Sequence, residues 1–130
     1  MIRAALLDLD GTLVTEDMLD VVCDVVGKRA DSQALNEQFR RKKITGTEAI
    51  IRRVNLLRGV SVSAIHELLA RESYLREGAQ ELVDYLRREN VVTAIQSRNI
   101  TPVLSFYQAA LGIDYILGTD PNVVDGVIQG

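Results

Sequence analysis

The sequence predicts an α/β fold in which a parallel sheet carries a helical insertion after its first strand. Residues 2–9 form a nearly continuous apolar run, as expected of a parallel strand that is buried on both faces. Residues 17–72 then repeat with a helical period and contain no strand pattern. After Gly78, helical segments alternate with short apolar runs, and this alternation is typical of α/β proteins.

The composition excludes several classes of protein and of functional site. Hydrophobic residues make up 47% of the 130 residues and charged residues 25%, as in folded domains, so widespread disorder is excluded. One cysteine and one histidine exclude a disulfide framework and a histidine-rich metal cluster. The net charge of −3 argues against a nucleic-acid partner. We expect no membrane span and no signal peptide, and therefore a cytoplasmic protein.

The helical insertion divides into four segments. Glycines that suit helix ends and polar residues that suit N-caps set the boundaries. We expect the first helix over residues 18–26, with Gly27 as its stop, and a second that is capped by Asp31 and runs to Lys43. A third covers residues 47–58, with Gly59 as its stop, and a fourth begins at Ser61 or Ser63.

The second half of the chain returns to the sheet. A helix over residues 79–90 leads to a strand at residues 91–95, and residues 114–117 form another strand. Between them we expect a helix capped by Thr101, with Pro102 in the first helical position and Gly112 as the stop. Residues 123–128 predict a hairpin, because Asp-Gly supplies the positive φ values of a type I′ turn.

Two aspartates end the first strand. Asp8 and Asp10 are two residues apart, so they can face the same site, and Gly11 allows a sharp turn after them. The carboxyl ends of parallel strands open into the ligand crevice. One carboxylate can attack phosphorus, the other can move the proton, and both attract Mg²⁺. The pattern favours phosphoryl transfer over the alternative, a solvated Asp-Gly turn.

A second polar strand end lies downstream. Ser97 follows the strand at residues 91–95, so its hydroxyl can reach the same crevice and bond a phosphate oxygen. Arg98 can add a fork of donors for the same phosphate. The alternative is a plain loop that leads to Thr101.

With these residues the chain resembles the haloacid dehalogenase superfamily. Asp8-Leu9-Asp10-Gly11-Thr12 is similar to its first motif and Ser97 to its second. Within the superfamily the chain most resembles phosphoserine phosphatases. The resemblance implies a Rossmann-like parallel sheet core, residues 1–14 and 76–130, with an inserted α-helical cap over residues 15–75.

The resemblance also implies an activity and a set of site residues. Asp8 would be the nucleophile of an aspartyl-phosphate mechanism and Asp10 the acid and base. Mg²⁺ would be held by the Asp8 carboxylate and the Asp10 carbonyl. Gly11 and Thr12 would join Ser97 and Arg98 in binding the phosphate. The substrate would be a small phosphorylated metabolite, with phosphoserine as the leading candidate.

The substrate contacts implied by the resemblance are Asp17, near the substrate amine, and Arg53, at its carboxylate; the alternative for Arg53 is a solvated arginine on a helix face. Gly46 stands where this family usually has a bulky apolar residue. Arg98 and Asn99 stand where phosphoserine phosphatases usually have two glycines.

The end of the sequence departs from the family. No Lys or Arg follows Arg98, whereas the family continues with a catalytic lysine and a further acidic pair. The sequence therefore leaves open a fragment, a shortened and impaired enzyme, or a non-catalytic module that binds a phosphorylated ligand or another protein. If the chain ends at Gly130, residues 2–8 form an edge strand, and we expect self-association through it.

Overall fold

Three parallel strands form the main sheet of the computed structural model, which describes residues 3–130. In the order of the sheet they are β1 (Ala4–Leu7), β2 (Val92–Ile100) and β3 (Tyr115–Thr119). Their register pairs Leu7 with Ile95 and Ile95 with Ile116. The predicted α/β class with a parallel sheet is confirmed.

Four helices lie between β1 and the return to the sheet, as predicted. The helices of the chain are α1 (Met18–Val22), α2 (Arg29–Arg40), α3 (Gly46–Asn55), α4 (Val62–Ala70), α5 (Ala79–Arg88) and α6 (Thr101–Leu111). A 3-10 turn over Cys23–Val26 extends α1 to Gly27, whose φ of 66° ends it. Within residues 3–130, no helix has the length and apolar character needed to cross a bilayer.

A short hairpin ends the chain. It consists of β4 (Val123–Val124) and β5 (Val127–Ile128), which pair antiparallel. Asp125 and Gly126 have φ values of 51° and 76°. These are the positive values that the predicted turn requires, so the hairpin prediction is confirmed.

Two predicted helix caps are wrong. Asp31 lies in the first turn of α2 and does not cap it, because the chain passes from Gly27 directly into a helix that begins at Arg29. Its carboxylate still complements the helix dipole there. Thr101 is the first residue of α6 and Ile100 is the N-cap. The Thr101 hydroxyl instead donates to Asp120, at 2.8 Å, in the loop after β3.

The strand that leads to the site is longer than predicted. β2 continues past Ile95 to Ile100, with an irregular register between Gln96 and Ile100. It continues because β3 still pairs with it, Ile100 opposite Thr119. Ser97 and its two successors are therefore part of a strand and not of a loop.

The first strand is not buried on both faces, contrary to the prediction. Helices α5 and α6 lie side by side on one face, where Gln80 of α5 donates to the Leu111 carbonyl of α6 at 3.1 Å. On the other face Leu6, Tyr115 and Leu117 are 63%, 63% and 53% exposed. Among the described residues β1 is also an edge of the sheet. Ile2, the first residue of the predicted strand, lies outside the described residues.

Hydrophobic packing is continuous between the sheet and the inserted helices. One cluster of buried side chains includes Met18 and Leu19 of α1, Ile65 of α4, Ile95 of β2 and Leu104 of α6. Burial of this apolar surface is the main stabilising contribution to the fold. The division into a core and a cap at residues 15 and 75 stays a prediction.

Main-chain hydrogen bonds tie the inserted helices down at two places, which we call the entry tie and the hairpin tie. In the entry tie Thr15 donates to the Tyr74 carbonyl at 3.0 Å and Arg76 to that of Leu13 at 2.8 Å. In the hairpin tie Gly59 donates to the Ile128 carbonyl and Ile128 to that of Val60, both at 2.8 Å. The α3–α4 connection therefore adds to the hairpin as a neighbouring strand would.

Gly118 in β3 provides a test of this packing. A Cβ there would lie 2.8 Å from the Asn99 carbonyl oxygen and would overlap Leu104 of α6. We expect Gly118→Ala to lower the free energy of unfolding by about 1–3 kcal/mol, because the strand and the helix must move apart. Urea unfolding measures this, with Leu117→Ala at the neighbouring exposed position as the control, expected within about 0.5 kcal/mol of the parent. Unchanged or increased stability of Gly118→Ala would contradict the packing described here.

Candidate active site

A cleft of about 310 Å³ opens between the carboxyl ends of the strands and helices α1, α2 and α3. It brings together six of the predicted site residues, namely Asp8, Asp10, Asp17, Arg53, Ser97 and Arg98. Side chains that sequence reasoning did not assign also line it, among them Leu19, Asn36, Phe39, Ile50 and Asn99. Gly11 and Thr12 are not part of its lining.

Asp8 lies immediately after β1, at the floor of the cleft, and is exposed. Its Oδ1 accepts a hydrogen bond of 2.8 Å from the N–H of Leu9. Leu9 is fully buried, so the bond holds the carboxylate against a fixed piece of backbone. This leaves an exposed, oriented carboxylate, as a nucleophile requires.

Asp10 is half-buried and held by two elements. Its Oδ1 accepts from the N–H of Met18 at 3.0 Å, and its Oδ2 accepts from the Asn99 side-chain amide at 3.3 Å. Burial raises the pKa of Asp10 to about 6; these hydrogen bonds oppose the rise, and the charges of Asp17 and Asp8 add to it. A carboxyl with this pKa can both give and take a proton near neutral pH.

Gly11 and Thr12 build the turn that carries Asp10 under the helices. Gly11 has a φ of 80°, a conformation that favours glycine. Its N–H donates to the Val14 carbonyl at 3.0 Å, and the N–H of Thr12 donates to that of Leu9 at 3.2 Å. Both N–H groups are thus used within the turn. A phosphate contact by either residue stays a prediction.

Ser97 has a hydroxyl that can still donate. Its Oγ accepts from the N–H of Asn99 at 3.0 Å, so the hydroxyl hydrogen is not used in that bond. Asn99 in turn bonds Asp10, and sequence reasoning missed this role. The signal was present, because Asn99 follows Ser97 by two residues, the same spacing that relates Asp10 to Asp8.

Arg53 is buried in an ion cluster, which we call the Arg53 cluster. Its Nη2 donates to Oδ1 of Asp17 at 2.7 Å and to Oδ1 of Asp20 at 2.8 Å. Its Nε donates to the Ser32 hydroxyl at 2.9 Å, and Ser32 donates to Asp20 at 2.6 Å. The Arg53 side chain is only 6% exposed, so it is not the solvated arginine of the alternative interpretation.

Asp17 has a structural role as well as a place in the cleft. It is the N-cap of α1, where its Oδ1 accepts from the N–H groups of Leu19 and Asp20. Its Oδ2 accepts from the side-chain amide of Asn36 at 3.3 Å. Asp20 was missed, although it follows Asp17 by three residues on the same helix and therefore shares its side of the helix.

Arg98 reaches from the end of β2 to the inserted helices. A Cβ at Gly46, the first residue of α3, would overlap Nη1 of Arg98 and would lie 3.4 Å from its Cζ. The same Cβ would lie 3.3 Å from Phe39 of α2. The absent side chain at residue 46 therefore leaves the space in which the guanidinium lies.

The carboxylates of the cleft are a sparse set of metal ligands. Across residues 3–130, no three side chains of the His, Cys, Asp and Glu types come together as a metal site. Asp8 and Asp10 are two oxygen donors beside a cleft that is open to solvent. Mg²⁺ is commonly held by one or two carboxylates together with waters and substrate phosphates, so this pair fits Mg²⁺ that completes its shell from the substrate.

Comparison with known proteins identifies the family of the chain. The family model for haloacid dehalogenase-like hydrolases matches residues 5–130. Phosphoserine phosphatase of Archaeoglobus fulgidus is 30% identical over 128 residues, which cover 98% of this chain and 37% of that protein. That of a Polaromonas species is 30% identical over 95% of this chain and 52% of its own length. The chain thus spans about a third to a half of these relatives.

Solved structures share the fold. A phosphoserine phosphatase structure described as a phospho-aspartyl intermediate analogue superposes with a TM-score of 0.80 at 23% identity, over 98% of this chain and 61% of its own. A hydrolase of the same family from Salmonella enterica serovar Typhi gives 0.87 at 20% identity, over 98% and 45%. The match of the family model over nearly the whole chain, together with the aspartates at the end of β1, shows that this chain belongs to the haloacid dehalogenase-like hydrolase family.

Proposed function

We propose that the chain hydrolyses a small phosphomonoester through an aspartyl-phosphate, with phosphoserine as the leading substrate. The observation that carries this proposal is the cleft in which Asp8, Asp10 and Ser97 meet under the inserted helices. The relatives named phosphoserine phosphatase support the choice of substrate.

In the proposed reaction Asp8 attacks phosphorus while the leaving oxygen takes the proton of Asp10. The Asp8–phosphorus bond forms as the ester bond breaks. Asp10, now a carboxylate, then takes a proton from a water that attacks the aspartyl-phosphate and releases inorganic phosphate. Its pKa of about 6 suits both halves of this cycle.

The phosphate is proposed to lie between the two strand ends. Ser97 donates its free hydroxyl hydrogen to a phosphate oxygen. Gly11 and Thr12 lie outside the lining of the cleft, in the turn that carries Asp10, and from this turn the Thr12 hydroxyl is proposed as a further phosphate donor. Mg²⁺, held by the Asp8 carboxylate and the Asp10 carbonyl, would offset the charge of the phosphate when bound.

The leaving group is proposed to lie against the inserted helices, with its amine at Asp17 and with Arg53 behind it. The small volume of the cleft and its three acidic side chains, Asp8, Asp10 and Asp17, support a metabolite and not a nucleic acid as the substrate. Cytoplasmic location stays a prediction.

A second candidate is a module that binds a phosphorylated ligand without hydrolysing it. The sparse set of metal ligands within the described residues favours it. The two candidates differ in one measurement, since only the enzyme releases inorganic phosphate from phosphoserine in a manner that depends on Asp8.

The first prediction concerns Asp8. Asp8→Asn is expected to reduce phosphate release from phosphoserine with Mg²⁺ present by at least about 1,000-fold, because an amide cannot form the acyl phosphate. Phosphate release is measured colorimetrically, and circular dichroism checks the fold. Asp24→Asn, an exposed change outside the cleft, is the control and keeps the parent rate. Equal rates for Asp8→Asn and the parent would show that another group attacks.

The pH dependence provides the second prediction. Because protonated Asp10 must donate to the leaving group, kcat/KM is expected to fall about tenfold per pH unit above pH 6. Asn99→Ala removes a hydrogen bond that favours the Asp10 carboxylate, so the pKa rises and the falling limb moves to higher pH. The substrate ionises identically with both proteins, which separates its titration from that of Asp10. Superimposable profiles, or a shift to lower pH, would remove Asp10 from this role.

The third prediction concerns self-association, which we propose occurs through β1 and the open sheet face. Among the described residues, Leu6 lies on an edge strand and has an exposed apolar side chain. Sedimentation over a concentration series is expected to show dimers or larger species, and Leu6→Lys is expected to shift them to monomer. Val26→Lys changes an equally apolar exposed residue away from the sheet and serves as the control. A parent protein that stays monomeric at high concentration would contradict the proposal.

A further inference from the structure

We propose that the Arg98 side chain binds a second anionic group of the substrate, one that leaves with the oxygen atom, and that Gly46 makes room for it. The substrate class is then a phosphomonoester whose leaving group carries a carboxylate or another anion. This inference rests on the proposed function only for the identity of the reacting phosphate.

Arg53 is the other arginine of the cleft, and its charge is already compensated. Its guanidinium faces two carboxylates, Asp17 and Asp20, at 2.7 and 2.8 Å, so the Arg53 cluster has a net charge of about −1. Nε and Nη2 are both used within the cluster. A substrate carboxylate could not accept two hydrogen bonds from Arg53 without displacing Asp17 or Ser32. Arg53 is therefore better suited to position Asp17 than to bind an anion.

Arg98 is the arginine of the cleft that is left to bind an anionic group of the substrate. It lines the cleft and is exposed, and within residues 3–130 its side chain makes no ion pair or hydrogen bond, although its carbonyl accepts from Thr119 at 2.7 Å. All five donors of its guanidinium are thus available, in the planar arrangement that matches a carboxylate.

The position of the guanidinium assigns it to the leaving group. Nη1 of Arg98 lies where a side chain at residue 46 would be, and this position is close to Phe39 of α2. The guanidinium of Arg98 is therefore on the side of the cleft that the helices form. Asp8 and Ser97 lie at the sheet edge on the other side. A phosphate held at Asp8 and Ser97 would leave the helical side of the cleft, where the guanidinium lies, to the rest of the substrate.

Gly46 and Arg98 therefore act as a pair. Any side chain at residue 46 would compete with the guanidinium for one volume, and alanine is otherwise a good residue in the first turn of a helix. Gly46→Ala thus tests the pair without removing a charge. If Gly46→Ala and Arg98→Ala both remove the preference for a ligand with a second anionic group, the two residues share one volume. A loss of positive charge alone would not explain this result, because Gly46→Ala removes no charge.

The test measures binding separately from turnover. Isothermal titration of phosphoserine and of phosphoethanolamine, which lacks the carboxylate, is carried out on the Asp8→Asn chain, so that neither ligand is consumed. Adding Arg98→Ala is expected to weaken phosphoserine binding tenfold or more and to change phosphoethanolamine binding less than twofold. Arg98→Lys restores part of the loss. Arg52→Ala, an exposed change on α3 outside the cleft, leaves both affinities unchanged.

Each other outcome overturns the inference. Equal losses for both ligands would place Arg98 at the phosphate, and no loss would leave it without a role in binding. Binding of neither ligand would also overturn it. Turnover of phosphoserine by the unmodified chain is measured in parallel and decides the proposed function independently, because an inactive chain can still show the difference between the two ligands.

Discussion

The parallel pairing of β1 with β2 determines where the polar side chains at the edge of the sheet lie. Because Leu7 lies opposite Ile95, Asp8 just after β1 and Ser97 in the last part of β2 reach the same edge of the sheet. Asp8 and Ser97 therefore share a cleft although they are far apart in sequence. The prolonged end of β2 adds Asn99, whose amide reaches back to Asp10. A shift of one residue in this register would point one strand's polar side chains to the opposite face.

Charge is distributed unevenly around this edge. The two arginines of the cleft serve different ends: Arg53 is enclosed by Asp17 and Asp20, whereas Arg98 remains available. Asp10 is neither enclosed like Arg53 nor exposed like Arg98: it is half-buried, and burial raises its pKa to about 6. Folding thus keeps one carboxyl close to its titration point and, within residues 3–130, leaves one guanidinium without a side-chain partner.

The sequence pattern predicted the features that depend on neighbouring residues alone. Asp8 and Asp10 follow an apolar strand, Asp125-Gly126 has the residues that its turn requires, and the alternation of helices and strands defined the fold class. What was missed depends on distant contacts. Asp20 meets Arg53 across 33 residues, and Thr101 gives up its cap role to bond Asp120. The exposed face of β1 also escaped prediction, because an apolar run does not show which of its faces a helix will cover.

The hairpin tie and the shared hydrophobic core hold the inserted helices over the cleft, and this affects how a ligand exchanges with solvent. Swinging the inserted helices away as one unit would break the hydrogen bonds of the hairpin tie and expose the shared hydrophobic core, whereas the entry tie joins the two ends of the insertion to each other. The turn between α2 and α3, residues 41–45, takes part in neither tie and lies next to Gly46. We therefore expect a ligand to enter and leave past this turn, through a local fluctuation of a few residues, because displacing all four helices would break more hydrogen bonds and expose more apolar surface.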